Sequence, residues 1–316
     1  MLDQLLAAAL ALAVLALLFG PLERAFPARP QQPIFRPELH IDLFFFLGQR
    51  LVFAGLAALA LTALYRQLAP YLPELLVGEV RALPLPLRLV LGLVLGDLIT
   101  YWFHRACHNY EILWRFHAVH HSAHHLDWLA AHREHPLDGF FTQLCVNLPA
   151  ILLGLPGEAI GGVIVARGLW AILIHANVRL PLGPLRHLFG APELHHWHHA
   201  RVAPTRHNFA NLAPYLDHIF GTYHRPQPGP ETYPLGLADP WPRGYLAQLL
   251  RPFAPASPSP SPRPAPTATT PAICSLPSSI SAEESSIAPS ARASPSQPTS
   301  HPESARLPPS RYTSSQ

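Results

Sequence analysis

The sequence predicts an all-α protein: an integral membrane helical bundle of four or five membrane helices, with a histidine-rich cap that binds metal. Three observations lead there. Of 316 residues, 49% are hydrophobic and only 13% charged, and mean hydropathy is positive, an unusual balance for a soluble chain. Apolar stretches that approach the thickness of a bilayer recur along the first 176 residues. Of the 20 histidines, 18 lie between His104 and His224, many of them three or four residues apart.

Residues 5–20 are apolar throughout, with Asp3 before them and Glu23, Arg24 and Arg29 after them. A cleaved signal would start basic and end on small residues, so this stretch reads as an uncleaved helix. Residues 41–64 form a second stretch, broken mainly by Asp42, Gln49 and Arg50 near its start. The third, residues 87–103, is interrupted by Arg88 and Asp97 and runs straight into His104. Residues 140–176 hold two more, joined by the Gly and Pro of GLPGE at 154–158, a tight turn. Each half is only marginally long enough to cross, so a full hairpin and a re-entrant one both fit. From Pro252 on, 15 of the 38 prolines and many serines give a composition too poor in apolar surface to fold. The expected organisation is an N-terminal helix and loop (1–40), a membrane domain (41–250) and a disordered tail (251–316).

Alternation of these helices brings every histidine array to one membrane face. Arg24, Arg29 and Arg36 fall on that face and make it cytoplasmic by the positive-inside rule, in a bacterial inner membrane or the endoplasmic reticulum. Arg66 and Arg81, on the opposite loop, pull the other way. The formal net charge of +3 comes from scattered arginines and offers no nucleic-acid patch. Cys107, Cys145 and Cys274 make no CxxC pair and no disulfide framework, and Cys107 reads as a small packed residue.

The arrays carry the chemistry. His104 and His108 are four apart; His117, His120 and His121 share the spacing of His195, His198 and His199. On a helix, positions i, i+3 and i+4 share a face, so each array aims its rings at one side. Eight imidazoles exceed the roughly four to six ligands of one ion, which implies two metals. Imidazole suits iron, copper, nickel and zinc alike. Asp97, inside an apolar stretch seven residues before His104, is expected either to fix an imidazole tautomer or to cap a helix end. Arg167, mid-stretch, holds a substrate head group or snorkels to the interface. His132, His187, His196, His207, His218 and His224 are expected to be solvated.

In their order, DLITYWFHRACH at 97–108, LWRFHAVHHSAHHLDWLAAHREHP at 113–136, IHAN at 174–177, LHHWHH at 194–199 and DHIFGTY at 217–223 resemble the fatty acid hydroxylase and sterol desaturase superfamily. The resemblance covers roughly residues 41–223. It implies a membrane di-iron oxygenase that uses O2 to hydroxylate or desaturate a lipid C–H bond, fatty acyl or sterol-like. It implies two iron ions held by His104, His108, His117, His120, His121, His195, His198 and His199, with His175 of IHAN as a further ligand. His135 and Asn177 become possible supporting residues beside Asp97. His124 and His125 stand where many relatives carry an acidic or amide residue. No Gly-x-Gly-x-x-Gly unit and no iron-sulfur cysteine set is present, so electrons must come from a carrier such as ferredoxin or cytochrome b5 with its reductase.

Two other classes would also use histidines. A zinc-dependent membrane hydrolase needs a general base, and Glu111, Glu134 and Glu193 lack HExxH spacing. A metal transporter or storage protein needs ionisable groups along a membrane path, where only Asp97 and Arg167 stand.

Overall fold

The computed structural model describes residues 2–254 apart from 72–73, 154, 156, 204 and 226–230. The expected tail lies outside the described residues from 255 onward, and the turn at 154–158 does so in part. Among the described residues the secondary structure is helical, with two isolated bridges, Pro27 to Val178 and Ala200 to Leu235, and no strand.

Helix α1 (Leu2–Ala25) is apolar on nearly every side. α2 (Leu39–Gly48) and α3 (Ala54–Leu68) join through one π-helical segment, Gln49–Phe53, into a single long rod. Where the segment widens, Gln49 donates its amide to the His132 carbonyl at 3.0 Å. After the short α4 (Glu74–Ala82) comes α5 (Leu85–Asn109), which opens with a proline in its first turn and ends on the first histidine pair. Three helices, Leu2–Ala25, Leu39–Gln67 and Leu85–Asn109, are long and apolar enough to cross a membrane. Their outward residues stay bare, Leu17 at 76% and Leu59 at 69% exposure, as lipid-facing surfaces require. The chain forms a helical membrane bundle.

The sequence leads one to expect four or five such helices, and the last hairpin falls short of that count. α7 (Pro136–Leu152) has 17 residues, about 26 Å at 1.5 Å per residue against a hydrocarbon core of about 30 Å. It also carries Asp138, Gln143 and Asn147. In α8 (Gly157–His175) the apolar helix counted among the described residues is Ala159–His175, again below spanning length.

α7 lies against α5 across two glycines one turn apart, the small-residue spacing that lets membrane helices approach. A Cβ at Gly96 would meet the Val146 carbonyl oxygen at 2.8 Å, whereas at Gly92 the nearest atom, Ala150 Cβ, would be 3.5 Å away. Leu15 and Phe19 of the N-terminal helix cluster with Phe46, Leu129 and Ile172, so α1 packs against the helices that follow it.

One end of the bundle is polar and buried. The carboxylate of Glu23, at the close of α1, accepts the backbone N–H of Trp128 at 2.8 Å and of Asn177 at 2.9 Å. Arg36 pairs with Asp42 (2.5 Å) and Asp127 (2.6 Å), and Arg133 with Asp42 (2.5 Å) and Glu38 (3.3 Å). Asp127 also accepts the N–H of Ala130 at 2.7 Å. These contacts fix the loop between α6 (Glu111–His121) and α7, which carries no regular structure beyond the 3-10 turn Ala130–His132. Asp42, Asp127, Glu38, Arg36 and Arg133 are tolerable there because each finds an opposite charge, and Glu23 because it accepts two backbone N–H groups.

Candidate metal centre

Tyr110, extended between α5 and α6 (φ −109°, ψ 121°), turns the chain so that the histidines of α6 face those of α5. His175 ends α8, and α9 (Pro192–His198), begun by a proline in its first turn, brings the last array to the same place. All nine expected ligands converge there, in two groups. His104, His108, His117, His121 and His198 form one; His120, His175, His195 and His199 form the other. Within each group the ligand nitrogens lie within 4.8 Å of one another. Metal–nitrogen bonds of about 2.0–2.1 Å put the nitrogens around one ion roughly 3–4 Å apart, so each group suits one ion. The groups touch: the rings of His121 and His199 stack at 4.2 Å.

This partition departs from the expectation that each array would serve one side. His117 and His121 go to the first group while His120 goes to the second; His195 and His199 go to the second while His198 goes to the first. Adjacent helical residues point about 100° apart, so a His-His pair straddles two sites while its i, i+4 members share one. The repeated spacing on α6 and α9 thus delivers rings to both groups from each of these two helices.

Backbone and carboxylate acceptors set the ring tautomers. His104 donates Nδ1–H to the Phe209 carbonyl (2.8 Å), His120 to Arg133 (3.0 Å), His175 to Ala171 (2.7 Å) and His198 to His207 (2.8 Å). His117 donates to the Asp138 carboxylate at 2.8 Å. A proton on Nδ1 leaves Nε2 as the lone pair offered inward. In the first group all five Nε2 atoms are buried with no hydrogen-bond partner. In the second, the Nε2 atoms of His120 and His175 face each other at 3.1 Å although both rings carry their proton on Nδ1. Two lone pairs so placed repel unless a cation lies between them, so the donor set fits metal in both groups. Burial pushes the His120 ring down to about 4, with His117 adding to the shift, and burial beside neighbouring rings lowers His121, His195, His198 and His199. These rings are neutral at pH 7, the form that ligates.

The acceptors are themselves held. Arg133 belongs to the buried ionic cluster around Asp42. Phe209 sits in a loop tied to α10 (Tyr215–Ile219): Asp217 accepts the N–H of Phe209 (2.8 Å) and of Ala210 (3.0 Å) and the hydroxyl of Thr222 (2.7 Å). That is what the DHIFGTY segment does.

Asp97 has other partners than the expected imidazole: Arg167 at 3.2 Å and the Leu212 N–H at 3.3 Å. Arg167, in turn, pairs with Asp97 and donates to the Leu93 carbonyl at 3.4 Å. His135 caps α7, its Nδ1 accepting from Leu137 at 3.1 Å while Nε2–H reaches the Leu249 carbonyl of α11 (Tyr245–Leu250) at 3.2 Å. Asn177 holds the chain after α1, accepting the Arg29 N–H at 2.8 Å. His132 and His196 are buried rather than solvated, against Gln49 (3.2 Å) and Glu231 (2.9 Å). His124 is outside both groups, beside Glu38 at 3.5 Å. Asp138 is not among the residues that the sequence motifs single out, although its place three residues after His135, in the first turn of a helix, is where a carboxylate is favoured.

Residues 89–222 match the fatty acid hydroxylase family. Among curated proteins the chain is 36% identical to an ornithine lipid hydroxylase of Rhizobium tropici over 54% of this chain and 52% of that protein. It is 30% identical to an alkylglycerol monooxygenase of Danio rerio (46% of this chain, 33% of that one) and 30% to a methylsterol monooxygenase of Arabidopsis thaliana (49% and 55%). The matches thus span a third to just over half of these relatives. No solved structure matches.

Proposed function

Residues 89–222 belong to the fatty acid hydroxylase family, within the wider fatty acid hydroxylase and sterol desaturase group, and from that premise we propose that this chain oxidises a lipid C–H bond with O2 at two histidine-held iron ions. The observation that carries the reading is the double cage: nine imidazoles divided five and four, most of them buried, five of them directed inward by an Nδ1–H bond to a fixed acceptor. Iron held there supplies the chemistry no side chain offers, reduction of O2 and oxidation of an unactivated carbon. The protein supplies the rest. Neutral rings leave the full positive charge on the metals, fixed acceptors keep the ligand geometry rigid, and the low exposure of the rings keeps water away. The cages sit at the ends of apolar helices, which favours a lipid as substrate, and hydroxylation accords with the named relatives.

The bundle end holding the cages also holds Arg29 and Arg36, which favours a cytoplasmic orientation. Electrons come from a carrier, ferredoxin or cytochrome b5 with its reductase, docking at that end. A zinc hydrolase finds less support. Among the described residues the carboxylate bonded into the cages is Asp138, already engaged with His117, while Glu193 pairs with Arg186 at 2.7 Å.

Elemental analysis of detergent-purified protein tests the assignment, with about two irons per chain expected and incorporation of oxygen from labelled O2 into lipid once a reduced carrier is added. His198→Ala should lose about one iron, and His120→Ala the other, with membrane insertion intact. One zinc per chain and no iron in protein expressed with iron supplied would move the reading to the hydrolase.

A further inference from the structure

Two segments of the polar end turn back along the membrane helices. Leu212 donates its N–H to Asp97, which lies seven residues and about 10 Å before His104 on α5. The Phe189 ring is 6.0 Å from that of Trp170, five residues and about 8 Å before His175 on α8. Gly190 joins the two segments: its N–H goes to the Leu212 carbonyl at 2.9 Å, and a Cβ there would run into the Asn211 carbonyl oxygen. Residues 183–190 and 211–220 thus reach back beside the apolar parts of α5 and α8, on the membrane side of the cages.

What these segments show outward is apolar. Leu185, Leu188, Phe189 and Ile219 are exposed, Leu188 at 55% and Ile219 at 66%, close to the 69% of Leu59 on α3. The segments meet at His187 and His218, whose ring nitrogens lie 3.0 Å apart, so the four side chains belong to one surface. That surface continues the lipid-facing side of α5, where Leu95, Ile99 and Trp102 are exposed at i, i+4 and i+7. Phe220, next to Ile219, packs its ring on Trp102 at 4.8 Å.

Backbone outside long helices tolerates lipid only where the protein itself answers its polar groups. The N–H groups of Leu188 and Phe189 go to the Leu185 carbonyl at 3.0 and 2.9 Å. Those of Leu216, His218 and Phe220 go to the carbonyls of Ala213, Pro214 and Leu216 at 3.0, 3.2 and 2.9 Å. Arg186 pairs with Glu193 at 2.7 Å, and His187 with His218. A surface closed in this way offers a protein partner few polar handles, while a bilayer asks for none. We propose that residues 183–190 and 215–220 form an interfacial wedge, with the acyl chains of the leaflet beside α5 and α8 as its occupant. The wedge goes beyond the oxidation reading and does not depend on it.

Spin labels on single cysteines test it in full-length protein reconstituted into phosphatidylcholine vesicles, with Cys145 and Cys274 replaced by serine and buried Cys107 left in place. Labels replace Leu188 and Ile219, each reporting on its own segment should the other variant fail to fold. Leu59 is the lipid control; Ala238, exposed in the loop whose Gly236 N–H bonds the His199 carbonyl, is the aqueous one. Power saturation reads collision with oxygen, which partitions into lipid, and with chromium oxalate, which stays in water. The labels at 188 and 219 should match 59 in oxygen collision and fall about 10-fold below 238 in chromium oxalate collision. Chromium oxalate reaching 188 or 219 as freely as 238 overturns the wedge. Exclusion of both reagents with dipolar broadening between labels would give the face to a second copy of this chain and overturns it as well. Neither readout needs iron or turnover, so a protein that oxidises no lipid would sink the proposed function and leave the wedge standing.

Discussion

At the scale of single residues, the tautomer-fixing acceptors matter as much as the ligands. Asp138 is the one charged acceptor among them, bonded to His117 Nδ1 at 2.8 Å, while the Cys107 thiol lies against its other oxygen at 3.9 Å. Asp138→Asn keeps the shape but weakens the hold on the ring. Metal affinity should fall roughly 10–100-fold, read by competition with a chelator of known affinity. The convergence of these histidines was legible because imidazoles repeat at helical spacing on several elements, and the structure gathers the rings into two groups. Their division between two sites was open to the same arithmetic, since His120 and His121 lie about 100° apart, yet the eye groups neighbours in sequence. Acceptors such as the carbonyls of Phe209 and Arg133 leave no mark in the sequence, because any residue presents a carbonyl. His132 adds a pH dependence. Burial, with Arg50 nearby, holds its ring down at about 4, below the ordinary 6.5. Between those values the unfolded chain binds a proton that the folded chain refuses, so stability is full above 6.5 and lost as pH falls toward 4. The loss attributable to this ring is on the order of a few kcal/mol. His132→Gln, which can still reach Gln49, should flatten that part of the pH curve of thermal unfolding.

At the scale of elements, the contact between α5 and α7 decides whether His104, His108 and Asp138 meet. Gly92 and Gly96 both face α7, but only at Gly96 would a Cβ come closer than ordinary contact, 2.8 Å from the Val146 carbonyl oxygen; at Gly92 the nearest backbone atom, Ala150 Cα, would be 3.6 Å away. Gly92→Ala places its methyl in ordinary contact with Ala150 and should be neutral or stabilising by up to about 1 kcal/mol through helix propensity. Gly96→Ala drives its methyl into the Val146 carbonyl and should cost about 1–3 kcal/mol, with partial metal loss as α7 is pushed away. Paired thermal melts in one detergent compare the two. The long apolar helices were legible from composition alone. The shortness of the last hairpin was not: residues 140–176 look continuous, whereas the helix begins at Pro136 and carries Asp138, Gln143 and Asn147. The apolar run concealed the first turn of that helix, where Asp138 accepts from His117.

At the scale of the whole molecule, nine imidazoles gathered into two groups would make bound metal part of the fold. Ligands held neutral and inward gain their partners only when the ions are bound, so occupancy should stabilise the protein by mass action. Stripping iron with a chelator should lower the melting temperature by several degrees, and re-adding ferrous ion should restore it. Equal melting of stripped and loaded protein would show that the cages stand without their ions. The clasp from Glu23 and Arg29 to Trp128 and Asn177 ties the first helix to segments roughly 100 to 150 residues later in the chain. The last array lies later still. While the chain is being synthesised, a nascent polypeptide that has reached Asn177 holds four ligands of one site and two of the other; neither set is complete until α9 has left the ribosome. By then all three spanning helices have been made. Ions held by these two groups would therefore enter a bundle already in the membrane, and metal supply would be a matter for the finished chain rather than the growing one.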